Sequence, residues 1–290
     1  METAISRIPV RSQRQAMDWS LALVSQGIET SIEQPADGFG WGLAVPAPDY
    51  EKALRVLRQY HLENRGWPWR QPLPWPRTHF DWAAAVWAAL LVVFYWVSGN
   101  HADFQAKGVM DSAAVMSGQW WRIFTAILLH ADLAHLAANL SIGIVLLGLA
   151  MGRYGTGLGL LAAFLAGAGG NVASLLLNAK PFYGLGASGL VMGALGLLAA
   201  QSMVFGKLNR HSWKFLMGGI AAAIMLFVLF GLTPGTDIAA HFGGFVAGLL
   251  IGALLTMLPV KFVLNSKSNL AAASLLVALV IVTWRLALNG

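Results

Sequence analysis

The sequence predicts an all-α polytopic membrane bundle preceded by a small N-terminal α+β cytoplasmic module. Three observations predict it. Of the 290 residues, 57% are hydrophobic and only 11% charged, where a soluble domain carries about 25% charged residues. From Phe80 onward, long apolar runs alternate with short polar loops. Charge is also uneven: residues 1–79 hold 9 of the 19 Lys and Arg and 8 of the 13 Asp and Glu, and the longer remainder is apolar and mildly basic. This balance excludes a soluble enzyme, a disordered tail and a nucleic-acid binder, despite a net charge of +6. The absence of cysteine excludes disulfides, thiolate metal sites and a cysteine nucleophile. Met1–Ile5 lacks an apolar core behind a basic start, so no cleavable signal peptide is expected.

Residues 1–65 read as the soluble module. Met17, Leu21, Val24 and Ile28 fall at helical spacing, with Gly27 suited to the helix end. Trp41, Leu43 and Val45 alternate as in a strand. Asp49 is placed to cap a second helix, with Leu54, Leu57 and Tyr60 or His61 on one stripe. The order is strand, helix, strands, helix. Residues 66–79 form a linker rich in Pro and Trp. Its prolines make it stiff, and its tryptophans favour the headgroup layer. Membrane-spanning segments are expected at 81–98, 134–151, 157–177, 186–205, 214–232, 237–258 and 269–287. Each approaches the roughly 20 residues that cross the hydrocarbon. The stretch between the first two is too long for a turn and carries Trp120-Trp121-Arg122, an interfacial anchor.

Seven spans alternate sides, so one orientation fixes all of them. With the module inside, the inner loops carry Arg153, Lys207, Arg210, Lys214, Lys261 and Lys267. The outer segments carry Lys107, Arg122, Lys180 and Arg285, and Arg65, Arg70 and Arg77 precede the first span. The basic bias makes the N-terminus cytoplasmic.

Polar groups within a membrane are costly and therefore point to function. In Gly184-Leu185-Gly186-Ala187-Ser188-Gly189 a serine sits in a glycine-flanked turn at the start of a span. Free N–H groups at a helix N-terminus favour a developing oxyanion, although small residues also serve helix packing. His241 stands near the start of the sixth span, three residues before Gly244 in a Gly244, Gly248, Gly252 repeat. Gly189, Gly193 and Gly196 form a comparable face below Ser188. Packing the two faces together brings hydroxyl and imidazole into reach, the nucleophile–base arrangement of acyl transfer. His135 and Asn139, four apart, share a helix face at the outer end of the second span and can donate toward an oxyanion. His130, five residues from His135, diverges from it on a helix, which argues against a metal pair; it reads as a brace for the outer loop. Asp237 is placed either to orient His241 or, the commoner role, to cap the helix.

Taken in order, Trp121-Arg122, His130…His135…Asn139, Gly186-Ala187-Ser188-Gly189 and Ala240-His241-x-x-Gly244-x-x-x-Gly248 resemble the rhomboid family of intramembrane serine proteases, over about Gln119 to Met257. The resemblance implies six core transmembrane helices, here with a seventh C-terminal one, so that residues 80–290 form the protease domain. It implies a Ser–His dyad in a water-filled cavity open to the outer face of the cell membrane. Ser188 is then nucleophile and His241 general base and acid. His135, Asn139 and the Ser188 backbone N–H meet the oxyanion, and Gly186 contacts substrate. The fifth span and the Gly231–Thr236 loop act as a gate. The implied partners are transmembrane protein substrates and the lipid bilayer, with no nucleic acid, cofactor or metal. The chain departs from the family pattern at Met151, where a glutamate is common, and at Met192, where many members carry an aromatic.

Other chemistries lack their residues. There is no His-Glu-x-x-His run for a zinc protease, and Asp103, Asp111, Asp132 and Asp237 lie near span ends or in loops, which is wrong for an aspartyl pair. A transporter would place charge at mid-membrane or interrupt its helices in repeated halves. A non-proteolytic rhomboid-like client binder would have lost the serine or the histidine, and both are present.

Overall fold

The computed structural model describes residues 4–34, 41–64, 79–206 and 237–290, with positions 217, 220, 221 and 224–228 between them helical. The chain divides into two compact units, Met1–Trp75 and Pro76–Gly290.

In the first unit, β1 (Ile5–Val10), β2 (Ser31–Glu33) and β3 (Trp41–Pro46) form an antiparallel sheet in the order β1-β3-β2. The register pairs Ile8 with Leu43 and Ile32 with Leu43. Helices α1 (Gln13–Val24) and α2 (Tyr50–Glu63) cover one face, burying Ala16, Leu23, Ala53 and Leu57 against Ile8, Val10, Leu43 and Val45. Ser12 caps α1 by accepting the Gln15 N–H, and Gly27 takes φ +73° just beyond its end.

The expected α1 stripe is not the buried one. Met17, Leu21 and Val24 are 54%, 70% and 55% exposed. The sheet receives the side of α1 that carries Ala16 and Leu23, and Ile28 is buried beyond the helix end. In α2 the buried positions are Ala53 and Leu57, while Leu54 and His61 face outward. Asp49 occupies the N-cap position of α2 but makes no side-chain cap bond, because a 3-10 turn over Ala47–Asp49 runs directly into the helix.

The second unit is built on α3 (Ala84–Asn100), α7 (Leu133–Tyr154), α8 (Thr156–Leu177), α9 (Ser188–Gly206), α10 (Ile238–Met257) and α12 (Ser266–Asn289). These six helices begin and end within three residues of the predicted segments. By length and composition, α7, α8, α10 and α12 are each long and apolar enough to cross a membrane; α3 and Ser188–Gln201 are apolar but shorter. The segment expected at 214–232 falls mostly outside the described residues.

Between α3 and α7 the chain forms α4 (Ala102–Gly108), β4 (Met110–Asp111), α5 (Ser112–Met116), α6 (Arg122–Thr125) and a 3-10 turn, Ala126–Leu128. β4 pairs with β5 (Tyr183–Gly184), which joins this segment to the turn ahead of Ser188. Arg122 is half-buried, and its Nη1 donates to the carbonyls of Ala106 and Val109. A short helix, α11 (Val260–Val263), precedes α12.

Small residues let α8, α9 and α10 approach backbone to backbone. A methyl at Gly244 would collide with the Gly189 carbonyl, one at Gly248 with the Gly193 carbonyl, and one at Gly196 with the Phe245 carbonyl. α8 joins the same contact, since a methyl at Gly170 would strike the Ala240 carbonyl. Apolar lipid supplies little drive for helices to associate, so such close van der Waals packing holds the centre together.

Candidate active site

Ser188 is the first residue of α9 and is partly exposed, while Ala187 and Gly189 on either side are buried. The turn before it is fixed by its backbone. Gly186 donates its N–H to the Ala126 carbonyl at 2.9 Å. Its φ is +128°, a region that a side chain disfavours. A methyl there would also lie 2.6 Å from Cε1 and 2.7 Å from Nε2 of His135. Glycine is therefore required twice, by conformation and by the imidazole packed over it. The N-terminal N–H groups of α9 have no intrahelical acceptor, which suits a negative charge.

His135 and Asn139 come from the first two turns of α7. Asp132 begins that helix by accepting the His135 N–H at 2.7 Å. The Asn139 amide donates to the His135 carbonyl at 3.2 Å and also lies beside Gly186. Both side chains therefore flank the turn that delivers Ser188.

His130 lies where sequence reasoning did not put it. Instead of bracing the outer loop alone, its Nε2 accepts the Ala187 N–H at 3.5 Å, and its ring meets His135 edge to face at a centroid distance of 5.2 Å. It is 1% exposed. No periodicity could reveal a contact across 57 residues. Burial first, and the neighbouring His135 second, lower its pKa from 6.5 to about 4, so the ring is neutral and able to accept. As pH falls from 6.5, the unfolded chain gains a proton that the folded chain refuses. Stability is full above 6.5 and is lost progressively toward pH 4, by up to about 3 kcal/mol. In His130→Gln the thermal midpoint is expected to fall less steeply between pH 6.5 and 4, by the equivalent of one proton. An unchanged slope would refute a neutral native His130.

His241 is in the first turn of α10 and is 3% exposed. Its backbone N–H donates to the Asp237 carbonyl at 3.0 Å. The Asp237 carboxylate accepts the Ala240 N–H at 3.0 Å and a short hydrogen bond from the Ser174 hydroxyl. Asp237 therefore caps α10 and ties it to α8. The Gly189–Gly244 contact, with Gly189 also facing the Ala240 carbonyl, brings the start of α9 against the turn that carries His241. The imidazoles of His135 and His241 are within electrostatic reach of each other. A cavity of about 900 Å³ opens along residues 177–183 and the first turn of α10, including Asp237 and Phe242. Among the described residues no three His, Asp or Glu side chains converge as metal ligands do. The two methionines that depart from the family pattern, Met151 and Met192, are both fully buried in the helical core.

Residues 117–258 match the family model of the rhomboid domain. Among curated proteins, the chain is 33% identical to Rhomboid protease GluP of Bacillus subtilis over 161 residues, 54% of this chain and 30% of that protein. It is 30% identical to Rhomboid protease AarA of Providencia stuartii over 187 residues, 57% of this chain and 66% of that one. YdcA of Bacillus subtilis, which also bears the rhomboid name, is 30% identical over 144 residues, 48% of this chain and 69% of YdcA. The chain thus spans about a third of the length of GluP.

Proposed function

This chain belongs to the rhomboid family, and from that premise we propose that it is an intramembrane serine endopeptidase cleaving membrane proteins in or near their transmembrane segments. The observation that carries the reading is the backbone contact of Gly189 with Gly244, which sets the start of α9 against the His241 turn. His241 takes the Ser188 proton as the hydroxyl oxygen attacks a peptide carbonyl carbon. The carbonyl oxygen becomes an oxyanion that receives the Ser188 N–H, His135 and Asn139. Collapse of the adduct breaks the C–N bond, and His241 returns the proton to the departing amine. Water then attacks the acyl-enzyme by the same route in reverse. Gly186 lines the place where substrate backbone lies. The substrate helix must unwind first, because helical peptide groups are hydrogen-bonded internally and closed to attack.

In this reading residues 1–65 are a cytoplasmic module, 66–79 an interfacial linker and 80–290 a seven-span protease domain in the cell membrane. Its site opens toward the outer face. The test is to treat the purified, detergent-solubilised chain with a fluorophosphonate and map the adduct by mass spectrometry. The chain is then reconstituted with a transmembrane reporter. An adduct on Ser188 is expected, with reporter cleavage by the untreated chain and none by the treated one; cleavage that persists after complete modification of Ser188, or complete inactivation by an adduct elsewhere, overturns the reading.

A further inference from the structure

We infer that the C-terminal helix α12 is a positioning strut for the Ser188 turn, acting through Trp284; the inference rests on the endopeptidase reading above. The foot of α12 is fixed to the bundle. The Asn269 side-chain oxygen Oδ1 accepts the N–H groups of Gly157 and Leu158 at 3.0 and 3.1 Å, capping α8 from another helix. The same amide donates to the carbonyls of Val263 and Asn265.

At its far end α12 meets the segment between α3 and α7. The Trp284 ring stacks on Phe104 at a centroid distance of 4.0 Å and an interplanar angle of 10°. Lys107 donates to the Leu288 carbonyl at 3.1 Å. Gly108 lies so close that a methyl on it would come within 2.6 Å of the Trp284 ring. The indole N–H of Trp284 finds no acceptor among the described residues, so what this side chain supplies is its buried ring.

From Gly108 two short paths reach the serine turn. The Gly108 carbonyl accepts the Thr125 hydroxyl at 2.7 Å, and the next residue, Ala126, accepts the Gly186 N–H at 2.9 Å. Along the chain, Met110 pairs with Gly184, and Ser112 and Phe182 exchange hydrogen bonds. The first path ends two residues from Ser188, and the second four to six residues from it. The segment they cross consists of short helices with little regular structure of its own to hold it. Packed interiors transmit displacement instead of absorbing it, so loss of the ring beside Gly108 shifts the serine turn.

The experiment uses the full chain in detergent, well below its thermal midpoint, comparing wild type with Trp284→Ala, Trp284→Phe and Lys107→Met. The readouts are the fluorophosphonate labelling rate, kcat and KM for a transmembrane reporter, and the melting temperature. In Trp284→Ala, labelling rate and kcat are expected to fall about ten-fold with KM within about two-fold, since small misplacement of reacting groups lowers the chemical step steeply. Trp284→Phe, which keeps a stacking ring, is expected to stay within about two-fold of wild type. If Trp284→Ala fails to fold, Lys107→Met decides, with an expected fall of about two-fold in labelling rate at unchanged melting temperature. A wild-type labelling rate in Trp284→Ala, or in Lys107→Met where that variant decides, overturns the strut. So does a Trp284→Phe variant as slow as Trp284→Ala. A wild-type chain that neither labels nor cleaves overturns the endopeptidase reading instead.

Discussion

Replacing Ser188 with alanine is expected to lower reporter cleavage by at least about 10³-fold and to abolish fluorophosphonate labelling. No other hydroxyl is carried at the start of α9, and the oxyanion donors have nothing to stabilise if no oxygen attacks. His241→Ala is expected to lose as much, because nucleophile and base work as a unit and the hydroxyl is a weak nucleophile with its proton in place. The double variant should then be no worse than either single one, whereas independent contributions would multiply. Ser188→Ala removes one partly exposed oxygen, so its melting temperature is expected to stay within a few degrees of wild type. Cleavage measured in proteoliposomes, with melting followed in detergent, separates lost chemistry from lost folding. Retained cleavage in purified Ser188→Ala would remove Ser188 from the mechanism.

Gly244→Ala is expected to cost about 100-fold in kcat although it touches no reacting atom. The added methyl meets the Gly189 carbonyl, which is backbone and cannot turn aside as a side chain could. The helices must separate, and the separation falls one residue from Ser188 and one helical turn from His241. Overpacking of this kind costs about 1–3 kcal/mol of stability, and a misplacement near 1 Å costs about 10²-fold in rate. Gly99→Ala is the control, since a methyl there meets nothing within 4 Å. It is expected to retain wild-type kcat. A Gly244→Ala variant within two-fold of wild type would show that this contact does not set the site.

The sequence made the helical core legible because its signals are local and repeated. Glycines four apart on two segments announced a close pair of faces, and those faces do meet, Gly189 with Gly244 and Gly193 with Gly248. The N-terminal unit was harder. A period of 3.6 shows that a helix has faces but not which one a sheet will choose. Ala16 gave no apolar signal, yet it is buried where Met17 is not. The segment between α3 and α7 could not be resolved into α4, β4, α5 and α6, since elements of two to seven residues leave no period to read. Contacts between distant residues were equally silent. Nothing near Asn269 suggests that it caps a helix beginning more than a hundred residues earlier, and nothing near His130 names Ala187 as its partner.

Two aspartates described above have a wider consequence. Asp132 starts α7 three residues before His135, and Asp237 starts α10 four residues before His241. Each imidazole's height is thus counted from a carboxylate that declares where the helix begins, not from the polypeptide that leads into it. Insertions or deletions upstream of either aspartate leave the count unchanged. What would move either ring is an insertion or deletion inside the helix, between the aspartate and its histidine.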